Sequence, residues 1–346
     1  MKKVILTSAS VFALAAAGPA FAQSTSVVEQ TGNGNAATVV QEESNISAVE
    51  QVGDNNVATV EQKENVGTPA NSSDIDQIAT GSNTASVTQF AGTNGSFVDI
   101  TQDGTSDNNF ASAQQASAVG STSEIFQTDS LNGTAQTLQG GGSGINNGAV
   151  IVQGDTSSVG GTVVGSDGAN SLILQEGDNN FALSVQGGLN QGSTIDQNSA
   201  SSANFAQVTQ GTISGQDSVA FVQQLGDGGF VEVSQNSNAN DAFVVQLSGL
   251  GNEAFVDQGF FAGGDTNIAG VFQDGDGNFS AIEQNVLTAG GTNQASTTQV
   301  GNDNTSFITQ EGTGNFADVA QFQDGNSSTV TQGGTGNSVT VTQGTP

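Results

Sequence analysis

Cysteine, histidine, tryptophan and tyrosine are all absent from this 346-residue chain, and it also contains no arginine. Each absence excludes something. Without cysteine no disulfide can support the fold. Without histidine or cysteine, Ser-His-Asp and Cys-His mechanisms lack their base, and zinc lacks its usual nitrogen and sulfur ligands. Only three cationic side chains stand against 33 acidic ones, and Lys63 is the only cation after residue 3. Phosphate recognition needs clustered cations, so nucleic acid is excluded as a partner. Anionic membranes and acidic polysaccharides are repelled for the same reason. Paired carboxylates could in principle hydrolyse a glycoside. The aspartates, however, recur in Gly/Asn-rich turns rather than forming a distinct pair. The expectation is a protein that is not an enzyme and needs no cofactor.

Long apolar runs are equally scarce. The exception is residues 1–22, where Lys2 and Lys3 precede an apolar stretch and Ala20-Phe21-Ala22 forms a small-residue cleavage box. This reads as a secretory signal peptide, too short for a membrane span. The remainder, 23–346, is expected to be exported and not membrane-embedded. Its 48 glycines and 19 phenylalanines leave either disorder or a repetitive β architecture.

Periodicity decides for the second. "QVGDNNVATVEQ" (51–62) returns as "QEGDNNFALSVQ" (175–186), "QDGDGNFSAIEQ" (273–284), "QVGNDNTSFITQ" (299–310), "QEGTGNFADVAQ" (310–321) and "QGGTGNSVTVTQ" (332–343). Some 26 glutamines close such segments, and 22 of them have Val or Ile two residues earlier. Four residues earlier the side chain is nearly always small, and six earlier it is most often asparagine. The unit is N-x-[AS]-x-[VI]-x-Q, a period of two that puts these four side chains on one face of a strand. Thr59 and Glu61 show the opposite, water-facing set. The remaining Gly, Asn and Asp suit tight turns.

Each unit of about 11 residues is therefore one strand plus one turn. Two units make a coil, and stacked coils make an all-β solenoid with cross-β spacing. Equivalent side chains then lie about 4.8 Å apart, so Gln and Asn can pass hydrogen bonds up a column. The repeat is looser and richer in glycine over about 140–172, which reads as longer arcs on a continuous solenoid. Thirteen coils would form a rod about 60 Å long.

These residues resemble the curlin repeat of bacterial curli fibre subunits, Q-x-G-x-x-N-x-A followed by a second Gln. Seven segments match its Gln, Gly, Asn and closing Gln. The resemblance maps ladder residues onto Gln30, Asn35 and Gln41, onto Gln51, Asn56 and Gln62, and onto Gln175, Asn180 and Gln186. It continues through Gln273, Asn278 and Gln284, then Gln299, Asn304 and Gln310, then Asn315 and Gln321, and finally Gln332, Asn337 and Gln343. It implies a secreted subunit that polymerises with itself into functional amyloid fibres of a biofilm matrix, for surface adhesion. A nucleator subunit and an outer-membrane secretion pore are the partners it implies. The chain is longer than a typical curlin subunit, and its repeats begin almost at the mature N-terminus.

Two other readings share the fold. One is a monomeric or surface-attached solenoid adhesin, distinguished by polar capping coils. The regular first and last repeats argue for uncapped ends. The other is a weak calcium-binding solenoid using turns such as Asp54-Asn55-Asn56, Asp178-Asn179-Asn180 and Asp276-Gly277-Asn278. No calcium-binding nonapeptide repeat occurs, so solvated turn carboxylates are the preferred reading. Phe181, Phe279 and Phe316 follow the ladder asparagines and point outward, either tucked under the turn, the preferred placement, or in columns.

Overall fold

Alternation of small, β-branched and amide side chains with polar ones gives twenty-eight strands and no helix among the described residues of a computed structural model. Those residues are 24–42, 44–63, 70–79, 81–104, 106–140, 146–154, 166–197, 202–211, 216–259, 266–285 and 291–345. The signal-peptide segment 1–22 lies outside them, as do parts of the glycine-rich stretch 140–172.

Twenty-six strands fall into two parallel sheets of thirteen. Strands alternate between the sheets along the chain, so each coil contributes one strand to each. The fold is the β-solenoid that the period of two and the turn spacing imply. Between Gln139 and Gln175 the chain makes its longest excursion, yet Thr134–Gly140 still pairs with Asn170–Gln175 in register. Across this region a small extra pairing, Ser166–Asp167 with Gly188–Leu189, lies beside the main sheets.

Register is set by chemical identity. Gln51 pairs with Gln30 on one side and Gln77 on the other, and Val49 lies between Val28 and Ile75. A slip by one residue would turn every inward side chain outward. Ile75, Ile100, Ile125 and Ile151 stack in one such column with no exposure to solvent. In the facing sheet buried Ala58 and Ala85 lie two residues before Val60 and Val87, and in register with them Ala111 lies two before Ala113. Their small size lets the two sheets approach across a core only two side chains thick.

The turns explain the repeat's Gly and Asn content. The residue just before each ladder asparagine is left-handed: φ is 59° at Asn55, 57° at Asn179, 62° at Gly277 and 56° at Asp303. Only Gly, Asn and Asp adopt this conformation cheaply. Two residues before that, Gly275 has φ 125°, and a Cβ there would collide with the carbonyl oxygen of Gly301 in the next coil. Here glycine is required both by conformation and by the closeness of stacked arcs.

Candidate functional site

The inward glutamines form two uninterrupted columns. In one sheet the amide chain runs from Gln30 through Gln51, Gln186, Gln284 and Gln310 to Gln332, and each Nε2 donates to the next Oε1 at 2.6–3.0 Å. In the other it runs from Gln41 through Gln62, Gln175, Gln273, Gln299 and Gln321 to Gln343 over the same range. Every donor points towards the C-terminal end of the rod. The columns are therefore polar, ending in the Gln30 and Gln41 amide oxygens on one side and the Gln332 and Gln343 amide nitrogens on the other.

Every column glutamine after Gln30 also makes a second bond that the repeat pattern does not disclose. The other Nε2 hydrogen crosses the core to a backbone carbonyl at the start of a strand in the facing sheet. Gln51 donates to Ala36 at 3.1 Å, Gln175 to Gly148 at 2.9 Å and Gln343 to Ser327 at 2.8 Å. These amides thus hold coil to coil and sheet to sheet together. The glutamine lies at or near the end of its strand, opposite the residue that opens the preceding strand.

Asparagine behaves differently from the amide-to-amide ladder expected. Its Oδ1 accepts the backbone N–H of the equivalent residue one coil on: Asn35 from Asn56 at 2.9 Å, Asn180 from Asn204 at 3.0 Å and Asn278 from Asn304 at 3.1 Å. Its Nδ2 donates to arc carbonyls, as Asn180 does to Glu176 and Asn278 to Gly301, both at 2.8 Å. Direct amide-to-amide links occur in the last coils, from Asn304 to Asn278 at 3.1 Å and from Asn337 to Asn315 at 2.9 Å. Asparagine clamps the arc, because its shorter stem sits where the strand begins.

The end coils are bare. The first strand, Thr25–Thr31, is exposed along its whole length, and the last, Ser338–Gln343, alternates between exposed and half-buried. Among the described residues nothing covers either edge. Both edges offer unsatisfied ladder groups of a parallel sheet, a template for another strand.

The outer faces carry two further features. Phe181, Phe205, Phe230, Phe255, Phe279 and Phe307 form a continuous column with centroid separations of 4.9–5.7 Å. The expectation that Phe181 and Phe279 tuck under the turns is thereby corrected. The column still leaves its end members partly open, Phe181 at 38% and Phe307 at 41% exposed, and Phe316, on the other sheet, is 36% exposed. Nearer the N-terminal end, Asp74, Asp99 and Glu124 stack in register beside Glu29, Glu50 and Asp76. Burial, then Asp74, Asp76 and Glu124, push the Asp99 carboxyl up to about 6, against a hydrogen bond from Thr101. Asp76 is raised by burial, then by Asp74 and Glu50.

Among the described residues no three acidic side chains are grouped so as to hold a metal ion, and no helix is long and apolar enough to cross a membrane. No family model matches the chain, and no curated protein is similar to it.

Proposed function

We infer that the chain is a secreted structural subunit that polymerises with copies of itself into extracellular cross-β fibres of the curlin kind, serving a biofilm matrix and adhesion to surfaces. The bare, complementary ends carry this reading. The C-terminal coil offers Nε2 donors at Gln332 and Gln343, and the N-terminal coil offers Oε1 acceptors at Gln30 and Gln41. A second molecule set on the first continues both columns with the same parallel register. Such a head-to-tail contact is heterologous and does not close, so it generates an open filament rather than a ring. The absence of clustered cations, of histidine and of cysteine leaves little chemistry for catalysis, and a solenoid with identical layers suits a structural role.

The test is incubation of the purified chain without residues 1–22 over several days, followed by electron microscopy and thioflavin fluorescence. Unbranched fibres with rising fluorescence are expected. A chain that stays monomeric with full β-sheet circular dichroism overturns the polymerisation and favours the monomeric adhesin.

A further inference from the structure

On the outer face of the phenylalanine-bearing sheet lies a groove of about 840 Å³. Its shape follows from register. Phe255, Ala281 and Phe307 occupy the same outward position on three successive strands, so the methyl group of Ala281 leaves a depression between two larger side chains. Phe279, two residues earlier on the Ala281 strand, flanks it, with ring centroids 5.7 Å from Phe255 and 5.1 Å from Phe307. Glu283, two residues later on that strand, stands on the opposite flank in register with Asp257. Glu232 adds a third carboxylate, one coil before Phe255 at the same outward position. One wall is aromatic, the other anionic.

Among the described residues no cation neutralises this wall. Lys63, the only cation after residue 3, is engaged elsewhere, and its seat is informative. Its ammonium lies 3.0 Å from a Glu61 carboxylate oxygen and 5.6 Å from the Phe90 ring centroid. A carboxylate and a phenylalanine face together thus hold the chain's own alkylammonium, a cation–π and Coulombic pairing. The groove presents the same two kinds of group, carboxylates and phenylalanine rings, on a larger scale. One oxygen of Asp257 is buried without a hydrogen-bond partner. Burial, then Glu283 and Glu232, push its carboxyl up to about 6, partly offset by a hydrogen bond from Ser234.

We propose that this groove binds an aliphatic polyammonium cation, with its methylenes against Phe255, Phe279 and Phe307 and its ammonium groups on Asp257, Glu283 and Glu232. The three carboxylates lie on successive coils, about 4.8 Å apart along the rod, a spacing that ammonium groups on short methylene tethers can match. A hard metal ion suits the groove less, since it seeks oxygen ligands all round and would leave the aromatic wall uncovered. A second copy of the chain suits it less still, because that copy is itself strongly anionic.

The test is calorimetric titration of spermidine into the unassembled chain at pH 7.5 and 0.15 M sodium chloride, which needs no fibre and stands apart from the polymerisation. Three variants are compared with the parent: Asp257→Asn with Glu283→Gln, Phe307→Ala, and the distant pair Asp74→Asn with Asp99→Asn. All the altered side chains face outward. The groove pair is expected to weaken spermidine about tenfold or more. Phe307→Ala is expected to weaken it about threefold at unchanged charge, and the distant pair by less than about twofold. Affinity of the parent should also fall as pH drops through 6. Equal weakening by the two acidic pairs, no effect of Phe307→Ala, or displacement of spermidine by magnesium at matched ionic strength overturns the assignment.

Discussion

At the scale of a residue, stability turns on what a primary amide can do in a two-sheet core. Gln51 accepts from Gln30 at 2.6 Å, donates to Gln77 at 2.8 Å and donates again to the Ala36 carbonyl at 3.1 Å. It is fully buried, and each group left without a partner there would cost about 1–3 kcal/mol. Leucine at this position loses three bonds but brings no new polar group. Glutamate keeps an acceptor for Gln30, yet it sets oxygen against the Gln77 oxygen and the Ala36 carbonyl, and buries a charge. Gln51→Leu is therefore expected to destabilise by a few kcal/mol and Gln51→Glu by more. Urea midpoints measured side by side check the order, and a glutamate variant as stable as the parent contradicts it. Asparagine marks the limit of what the sequence discloses. Its inward face follows from the period of two, but its choice of backbone N–H over neighbouring amide depends on where the arc leaves the strand, which spacing does not specify.

At the scale of an element, strands and arcs obey different constraints. Strand positions were legible because a β-branched residue, a small residue and glutamine recur at fixed offsets, as at Val60, Ala58 and Gln62. The phenylalanine column was not. Its members shift between two outward positions, Phe230 and Phe279 five residues before the closing glutamine and Phe255 and Phe307 three before it, and only the three-dimensional register brings them together. The arcs allow a direct check. Gly275→Ala forces a Cβ onto the Gly301 carbonyl at φ 125°, so a loss of at least about 1–3 kcal/mol is expected. Thermal unfolding measures it, and an unchanged melting temperature contradicts the close stacking of arcs.

The outward carboxylates belong to this scale too, and they set an unusual pH dependence. Asp99 and Asp257 titrate near 6 in the folded chain and near 4 when unfolded. Between those values the folded state holds more protons, so this contribution to stability rises as pH falls from 7.5 towards 5 and levels off below about 4. A higher urea midpoint at pH 5 than at pH 7.5 is expected, with the difference reduced in the Asp99→Asn, Asp257→Asn double variant. A lower midpoint at pH 5 contradicts the assignment of these groups.

At the scale of the whole molecule, a formal net charge of −30 would oppose the joining of ends proposed for the glutamine columns. Cross-β segments usually carry little net charge. Here the acids occupy outward and turn positions, so folding does not bury them, but stacking molecules brings them near one another. At 0.15 M salt the Debye length is about 8 Å, which confines strong repulsion to the coils next to a joint. In the proposed fibre the charge would act as a brake on association rather than a bar to it. The lag before fibre formation is expected to shorten as salt rises and as pH falls towards 4. Thioflavin time courses across both variables check this, and a lag indifferent to both removes the brake.

In the proposed fibre, copies join end on end through the same columns that hold each molecule together. Electron cryomicroscopy of fibres grown from the purified chain tests it most directly. The expected fibre is one solenoid wide, with layers about 4.8 Å apart and a molecular repeat of about 62 Å from thirteen coils. The Gln332 and Gln343 amides of one copy should lie in line with Gln30 and Gln41 of the next. Fibres built instead by side-to-side packing of the sheet faces, or by head-to-head joints, would contradict it.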